Sequence, residues 1–235
     1  GPKNCKSKNC KIFFKKNFLK KVKDLAHKNN ALLIFDEIVT GFRYSIGGAQ
    51  ELTNVTPDLT ALAKAMSNGV PISAIVGKKK YMKSLEKTFF SFTYGGDCIG
   101  LAAAKASITK IKKLNVPDHI NKVGLILKDG LNKIINTHEL GKYFECIGYP
   151  CRSIFVFRGN GIFNELEMKT FLQQELFRRG ILWAAYHSIS YAHKKKEIKK
   201  TLKIFDQILK MFKNLFIEKK LRISSKLEGK VVKPV

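Results

Sequence analysis

The sequence predicts an α/β protein, a mostly parallel sheet with helices, followed by a smaller α+β region. Three observations lead to this fold class. Short continuous apolar runs of strand length recur at 31–35, 59–63 and 72–76. Amphipathic or Ala-rich segments of helical length precede and follow these runs, and this order favours a sheet with helices on its faces. No apolar run approaches the roughly 18–20 residues of a membrane-spanning helix, so no membrane partner is predicted.

The elements of the first region follow from residue spacing. Residues 1–11 are polar and basic and are interpreted as a disordered lead-in, and 12–115 as one partial domain. Each apolar run in this domain is predicted to be a strand, and the run at 31–35 is expected to be buried on both faces. Residues 98–113 are Ala-rich and predicted to be helical. An amphipathic helix is predicted over 12–28, because its apolar side chains recur every three or four residues. They are Phe14, Phe18, Val22 and Leu25.

The second region, 116–217, predicts a small α+β domain, and residues 218–235 are interpreted as a tail. Helical spacing of apolar residues predicts three helices in it, and Gly180 suits the end of the middle one. These helices cover 117–137, 165–179 and 195–217. Alternating or continuous apolar residues predict strands within 143–158 and two short strands at 181–185 and 188–192.

The chain is strongly basic, but the distribution of its charge does not indicate a nucleic-acid-binding protein. Lys and Arg number 44 against 18 Asp and Glu, a formal net charge of +26. The basic residues are mostly Lys and spread over the whole length, whereas nucleic-acid readers concentrate them on one face and rely on Arg for base edges. We therefore predict no specific nucleic-acid partner.

The five cysteines indicate a reducing compartment. Cys5–Cys10 and Cys146–Cys151 have a spacing that zinc sites can use, but neither pair has a histidine beside it, and Cys98 stands alone. Free thiols in a cytoplasmic protein explain an odd count better than disulfides or a metal site, so no metal is predicted. No secretory signal is visible. The chain begins with Gly1, and we expect that it starts partway into a longer protein.

Two side chains stand at the ends of predicted strands and can carry chemistry. Asp36 follows the first buried strand, and Lys64 follows the second. Ligands of open α/β sheets bind outside the carboxyl ends of the strands, where a carboxylate and an amine could form one site. The alternatives are a helix cap or salt bridge for Asp36 and an ordinary surface position for Lys64. Apolar neighbours suggest that the stem of Lys64 is buried, which would make its amine a better nucleophile.

An amine, an acid and a phosphate site together are what pyridoxal 5′-phosphate requires of a protein. Thr93 and the glycines before the helix at 98–113 offer hydrogen-bond donors to an anion. The alternative for this segment is a simple turn with Asp97 as the N-cap of the helix. Arg43 could pair with a substrate carboxylate, and its alternative is an ion pair with Glu37 or Glu51.

Four motifs occur between residues 32 and 82, namely DEIVTGFR, GGAQ, TPDLTALAK and GVPISAIVG, and FFSFTYGGDCIGLAAAKA follows them. In order and spacing they resemble the class III pyridoxal-phosphate aminotransferases, most of all the glutamate-1-semialdehyde 2,1-aminomutase branch. The resemblance covers roughly residues 12–216. It implies part of a fold-type-I transferase large domain, followed by the small C-terminal domain, and a pyridoxal 5′-phosphate enzyme that transfers or migrates an amino group of a small donor or acceptor substrate.

The resemblance also implies roles for individual residues. Lys64 corresponds to the catalytic Schiff-base lysine, Asp36 to the partner of the pyridine nitrogen, and Ile38 to the residue that packs on the cofactor ring. Thr93 would contact the cofactor phosphate of the neighbouring subunit, which implies a homodimer. Members of the family are nearly twice as long, so a separate N-terminal half that carries the main phosphate turn is an expected partner. A second hypothesis remains, that the chain is a non-catalytic binding or assembly module.

Overall fold

The computed structural model describes residues 17–89, 93–160 and 163–232. Contacts divide the chain into two units, the first ending at His119 and the second beginning at Ile120. Helices and sheets are mixed in the chain, as the predicted α/β class requires.

Among its described residues, the first unit contains three strands and five α-helices, the last of which continues into the second unit. The helix predicted over 12–28 is observed from Phe18, since residues 1–16 lie outside the described residues. The elements are α1 (Phe18–Lys28), β1 (Ile34–Asp36), α2 (Gly48–Thr53), β2 (Leu59–Leu62), β3 (Ala74–Gly77), α3 (Lys79–Met82), α4 (Cys98–Lys113) and α5 (Val116–Thr137).

The three strands form one sheet in the order β1–β2–β3. β1 and β2 are parallel, with Asp36 opposite Ala61. β3 runs antiparallel to β2, so this sheet is mixed, whereas the sequence predicted a mostly parallel one. The reason lies in the connection, because residues 63–73 hold only a short 3₁₀ turn, Lys64–Met66, and a parallel return needs a crossover of a dozen or more residues.

The two faces of this sheet differ in burial. Leu19 and Val22 of α1 pack against Phe35 and its neighbours, whereas Ile34 is 59% exposed and Ile75 51% exposed on the other face. The prediction that the first strand is buried on both faces is therefore wrong. In the part of the chain that the structure describes, α1 covers the Phe35 face, and alternation of side chains along the strand leaves Ile34 on the uncovered side.

A buried carboxylate holds the amino end of β2. Asp58 accepts hydrogen bonds from Lys78 Nζ (2.6 Å), His27 Nε2 (2.8 Å) and the backbone amide of Leu33 (2.8 Å). These bonds, the Lys78 ion pair first among them, hold the pKa of Asp58 well below its usual range. One side chain thus ties α1, β1 and the end of β3 to β2.

In the described part of the second unit, the remainder of α5 is followed by a two-stranded antiparallel sheet and two further α-helices. The α+β pattern predicted for this region is observed. The elements after α5 are β4 (Phe144–Tyr149), β5 (Arg152–Phe157), α6 (Glu165–Arg178) and α7 (Lys195–Phe212), and a wider turn, Lys213–Glu218, follows α7.

Aromatic rings fill the core of this unit. Phe212 is fully buried, and its ring lies 5.0 Å from that of Phe144 and 5.1 Å from that of Phe216, measured between centroids. The outer edge of β4 is paired by α5, where the Asn132 side chain accepts from the backbone amide of Cys146 and donates to its carbonyl, both at 2.8 Å. The outward backbone groups of Cys146 are thereby satisfied without a third regular strand.

The segment after α6 differs from its prediction. Residues 181–185 and 188–192 are not two regular strands but parts of one extended segment beside β5. The backbone amides of Phe155 and His187 donate to the carbonyls of Ala185 and Ser153, each at 2.8 Å. Ala185 has a positive φ of 66°, which interrupts the ladder that a regular strand would need.

Candidate active site

Asp36 and Lys64 lie at the same edge of the sheet. Asp36 is the last residue of β1 and stands opposite Ala61 of the parallel strand β2. Lys64 follows Ala61 by three residues and begins the turn after β2. Because the carboxyl ends of parallel neighbours meet at one edge, the two predicted residues follow adjoining strand ends at that edge.

Asp36 is exposed and is oriented by its own turn. Its Oδ1 accepts a hydrogen bond from the backbone amide of Ile38 at 3.0 Å, an arrangement that aspartate commonly makes two residues ahead in a turn. Ile38 is partly buried beside it. The bond fixes the orientation of the carboxylate without burying it, so the group faces the side on which Ile34 is exposed.

Lys64 has a strained backbone. Its φ is +49°, in the left-handed region that costs a non-glycine residue about 1–2 kcal/mol. Its carbonyl accepts from the amides of Ser67 (3.3 Å) and Asn68 (3.0 Å), and Met66 and Ser67 are buried below it. The sequence predicted a buried stem for Lys64, whereas the residue as a whole is exposed, because the turn lifts it out of β2.

Glu37 is the residue that sequence reasoning missed. Its side chain is buried, and its carboxylate accepts from Thr40 Oγ1 (2.7 Å), the amide of Ala49 (2.7 Å) and the amide of Gln50 (3.1 Å). The signal in the sequence was the pair of acidic residues, Asp36 and Glu37, at the end of a strand that is covered on one face. Alternation along the strand sends one of the two carboxylates inward, and that carboxylate must then find several donors.

Arg43 lies in the loop that Glu37 holds. It is partly buried, and its backbone amide donates to the carbonyl of Thr40 at 3.1 Å. The two carboxylates suggested as its alternative partners accept bonds from the loop backbone: Glu37 from Ala49 and Gln50, and Glu51 from the amide of Gly47 at 2.6 Å. The role of Arg43 toward a substrate stays a prediction.

A cavity of about 470 Å³ opens beside this loop. It is bordered by the loop backbone, by polar side chains of α2 and by Leu62 of β2. Its lining includes Phe42, Ile46, Gln50, Glu51 and Asn54.

Thr93 lies in an exposed turn before α4. The carboxylate of Asp97 accepts from the amides of Ile99 (3.4 Å) and Gly100 (2.7 Å), so Asp97 is the N-cap of α4, as the local alternative predicted. α4 contacts the turn that begins at Lys64. Thr93 precedes α4 by five residues, and its contact with a neighbouring subunit's cofactor is still a prediction. Residues 90–92 of the same motif lie outside the described residues.

The small unit holds a buried polar chain. Trp183 Nε1 donates to His187 Nε2 at 3.1 Å, and His187 Nδ1 lies 3.0 Å from Ser153 Oγ. Because the indole can only donate, the imidazole is neutral with its proton on Nδ1. Burial lowers the pKa of His187 to about 4. Trp183 is 5% exposed and His187 6%, so both side chains belong to the core of this unit.

Two functional classes receive no support from the part of the chain that the structure describes. No group of three or more His, Cys, Asp or Glu side chains there is arranged to hold a metal ion. Cys5 and Cys10 fall outside it, and Cys98, Cys146 and Cys151 are free thiols. Among the same residues, no helix has both the length and the apolar character needed to cross a bilayer.

Comparison with known proteins gives matches over most of the chain, including the candidate site. The family model described as Aminotransferase class-III matches residues 6–209. The chain is 33% identical over 206 residues to the 3-aminobutyryl-CoA aminotransferase of Cloacimonas acidaminovorans, an alignment that covers 86% of this chain and 49% of that protein. It is 31% identical over 205 residues to the glutamate-1-semialdehyde 2,1-aminomutase of Francisella tularensis subsp. mediasiatica, covering 81% and 48%.

A solved structure shares the fold. The PLP internal aldimine form of the FumI protein from Sphingopyxis sp. MTA144 superposes with a TM-score of 0.77 at 21% identity, covering 86% of this chain and 48% of that one. The chain spans about half the length of the curated relatives it matches. The two curated relatives differ in reaction, since one is named an aminotransferase and the other an aminomutase.

Proposed function

The chain belongs to the class-III aminotransferase family, and from this premise we propose that it supplies the Lys64–Asp36 half of an enzyme that transfers or migrates an amino group with pyridoxal phosphate. The family is pyridoxal-phosphate-dependent. The observation that carries the proposal is the pairing of β1 with β2, which brings a carboxylate and an amine to one edge of the sheet.

The residues at this edge fit the cofactor. Pyridoxal phosphate needs an accessible amine, an acid for its ring nitrogen and donors for its phosphate. Lys64 and Asp36 are exposed on neighbouring strand ends, and Ile38 offers an apolar side chain next to Asp36. Thr93 offers a hydroxyl near the amino end of α4. Lys64, Asp36 and Ile38 would hold the cofactor, and the Thr93 hydroxyl would serve the site of a second subunit.

Each residue has a separate task in the proposed reaction. Pyridoxal phosphate, when bound, supplies an electron sink for charge at the substrate carbon that bears the amino group. Asp36 holds the proton on the ring nitrogen, a charge-assisted bond about twice as strong as a neutral one. The amine of Lys64 removes the proton from the substrate carbon and returns a proton as general acid. Arg43 orients a substrate carboxylate, since its planar guanidinium matches that group in geometry.

The assembly and compartment are part of the proposal. Class-III aminotransferases are typically homodimers that act on amino-group substrates. We propose a homodimer in which Thr93 contributes across the interface, and a small amino donor or acceptor as substrate. We also propose that activity requires the other half of the family's length, carried upstream or on a separate chain. The free thiols of Cys146 and Cys151 support a cytoplasmic location.

The competing hypothesis, a non-catalytic binding or assembly module, is the less supported one. A module that had lost catalysis would have no need to keep both a carboxylate and an amine at adjoining strand ends. The strained backbone of Lys64 favours the same conclusion, since such strain concentrates at functional residues.

A titration with cofactor tests the proposal. We expect the isolated chain to bind pyridoxal phosphate weakly and to show no aminotransferase turnover, because most phosphate donors should lie in the other half. Borohydride reduction should nevertheless fix the cofactor on Lys64, Lys64→Ala should remove that covalent product, and Lys79→Ala, at an exposed lysine on α3, should not. Cofactor attached mainly to lysines other than Lys64 would overturn the assignment, and tight binding with turnover would show that the chain needs no second half.

A further inference from the structure

We propose that Glu37 is the positioning residue of the Lys64–Asp36 site. Its buried carboxylate holds the loop of residues 38–50 against the ends of β1 and β2, so that Asp36 and Ile38 keep their orientation and Arg43 its place. The inference rests on the proposed function, because a positioning role needs a site to position.

The side chain of Glu37 is saturated by donors from the loop. Oε2 accepts from Thr40 Oγ1 and from the amide of Ala49, both at 2.7 Å. Oε1 accepts from the amide of Gln50 at 3.1 Å and from Gln50 Nε2 at 3.4 Å. The residue is 1% exposed. A buried carboxylate costs several kcal/mol without such partners, so this bonding pattern specifies where both ends of the loop must lie.

The backbone of Glu37 connects the same loop to the neighbouring strand. Its amide donates to the carbonyl of Ala61 at 2.9 Å, three residues before Lys64, and its carbonyl accepts from the amide of Gly41 at 2.8 Å. Gln50 Nε2 also lies 3.5 Å from Thr60 Oγ1 of β2. A shift of Glu37 would therefore alter hydrogen bonds to β2 as well as those within the loop.

The orientation of Asp36 depends on that of Glu37. Neighbouring residues of an extended segment point to opposite sides, and here Glu37 is buried while Asp36 is exposed. Holding Glu37 inward keeps Asp36 outward, and the bond from the amide of Ile38 to Asp36 Oδ1 extends this constraint to Ile38.

Gly48 gives an independent sign that the pocket is built around this carboxylate. Its φ is +72°, and a Cβ placed there would lie 2.4 Å from Glu37 Oε2. Any side chain at position 48 would have to displace the carboxylate, so the loop backbone encloses Glu37 closely.

Glu51, in α2 directly after the loop, provides a matched control. It too accepts a hydrogen bond from a backbone amide, that of Gly47, at 2.6 Å, but it is exposed. Both residues can be changed to Gln, which removes the charge and keeps the shape. Thr40→Val is a milder second variant, since it removes one donor to Glu37 and keeps the volume.

The experiment uses the full chain and two readouts. Amide hydrogen exchange at Ala49 and Gln50 reports the loop, and borohydride trapping with pyridoxal phosphate reports the rate at which Lys64 is labelled relative to Lys79. We expect Glu37→Gln to speed exchange at both amides about tenfold, as loss of a charged hydrogen bond implies, and to reduce the Lys64:Lys79 labelling ratio about fivefold or more. Thr40→Val should change both readouts in the same direction and less, and Glu51→Gln should leave the labelling ratio unchanged.

The outcomes separate the inference from the function on which it rests. Preferential labelling of Lys64 that survives Glu37→Gln and Thr40→Val unchanged overturns the positioning role and leaves the proposed function standing. A wild-type chain that labels Lys64 no faster than Lys79 overturns the proposed function and the positioning role together. If Glu37→Gln fails to fold, Thr40→Val decides alone: an unchanged labelling ratio contradicts the inference, and a lowered ratio with native circular dichroism supports it.

Discussion

The two units bury their apolar side chains to different degrees. In the second unit Phe144, Phe155 and Phe212 are at most 1% exposed. In the first unit the best-buried hydrophobic residues, such as Phe35, keep 6–9% exposure, and Ile99 is 73% exposed. The second unit thus closes a core of its own, whereas the first, which carries Asp36 and Lys64, leaves much of its apolar surface uncovered.

The first unit also joins several of its segments through two buried carboxylates. Glu37 accepts hydrogen bonds from the loop after β1, and Asp58 connects α1 with two strands through its ion pairs. The hydrophobic effect is non-directional, whereas hydrogen bonds to a carboxylate fix distances and angles. The candidate site therefore depends on charge and donor geometry more than on the volume of its side chains.

The largest test of this comparison removes a ring from the core of the second unit. Phe212→Ala should lower the free energy of unfolding of that unit by about 3–5 kcal/mol, because the fully buried ring leaves a cavity among its aromatic neighbours. Denaturant unfolding followed by the fluorescence of Trp183, the chain's single tryptophan, measures this unit selectively.

Phe177→Ala is the control for that experiment. Phe177 belongs to the same unit but is 49% exposed, so its truncation should cost less than about 1 kcal/mol. Equal losses for the two variants would mean that the aromatic cluster does not stabilise the second unit in the way its burial indicates.

As the pH falls from 7.5, the second unit, which is the better packed, should lose stability before the first. The pKa of His187 is lowered by burial to about 4, from an ordinary value of 6.5, so the folded state prefers the neutral ring. Its stabilisation is complete above pH 6.5 and is lost as the pH falls toward 4, about 2–3 kcal/mol between pH 7.5 and pH 4.5. In the first unit the Asp58 carboxylate, with its pKa lowered mainly by Lys78, keeps its contribution above about pH 4 and loses it only in stronger acid.

Unfolding at pH 7.5 and at pH 4.5, followed by Trp183 fluorescence, measures the first of these effects. His187→Gln should remove most of the pH dependence, since an uncharged amide can accept from Trp183 and donate to Ser153 at either pH. A His187→Gln chain that loses as much stability as the wild type would assign the acid sensitivity to other groups.

The smallest expected effect on stability concerns the uncovered sheet face. Ile34→Thr and Ile75→Thr should each change the free energy of unfolding of the isolated chain by less than about 0.5 kcal/mol, because neither side chain is buried.

Together the two substitutions should lower self-association of the chain, since an exposed apolar patch favours contact between copies. Light scattering in 0.3 M salt, which screens the +26 charge, measures this. Leu182→Thr, at a 92% exposed residue of the second unit, is the control, and equal behaviour of the two sets would remove any special role for the sheet face.

Much of the fold could be predicted from local patterns. The Ala-rich run at 98–113 is observed as α4 with the same bounds, and Asp97 caps it as its position before the helix suggested. Gly180, after α6, has a φ of +75°, the conformation that a helix end requires and that glycine adopts without strain. These features depend on residues within a few positions of each other, so the printed sequence contains what is needed to infer them.

The candidate site divides in the same way. The order of short motifs along the chain was enough to predict Asp36 and Lys64 as site residues and to indicate the family. Residue types at the ends of predicted strands can be identified without coordinates. The inward turn of Glu37, the exposure of Lys64 and the antiparallel course of β3 were decided only by the tertiary structure. Each of these depends on partners distant in sequence, such as Ala49 for Glu37. Burial and strand direction follow from what the rest of the chain places against a residue, and local spacing does not encode that.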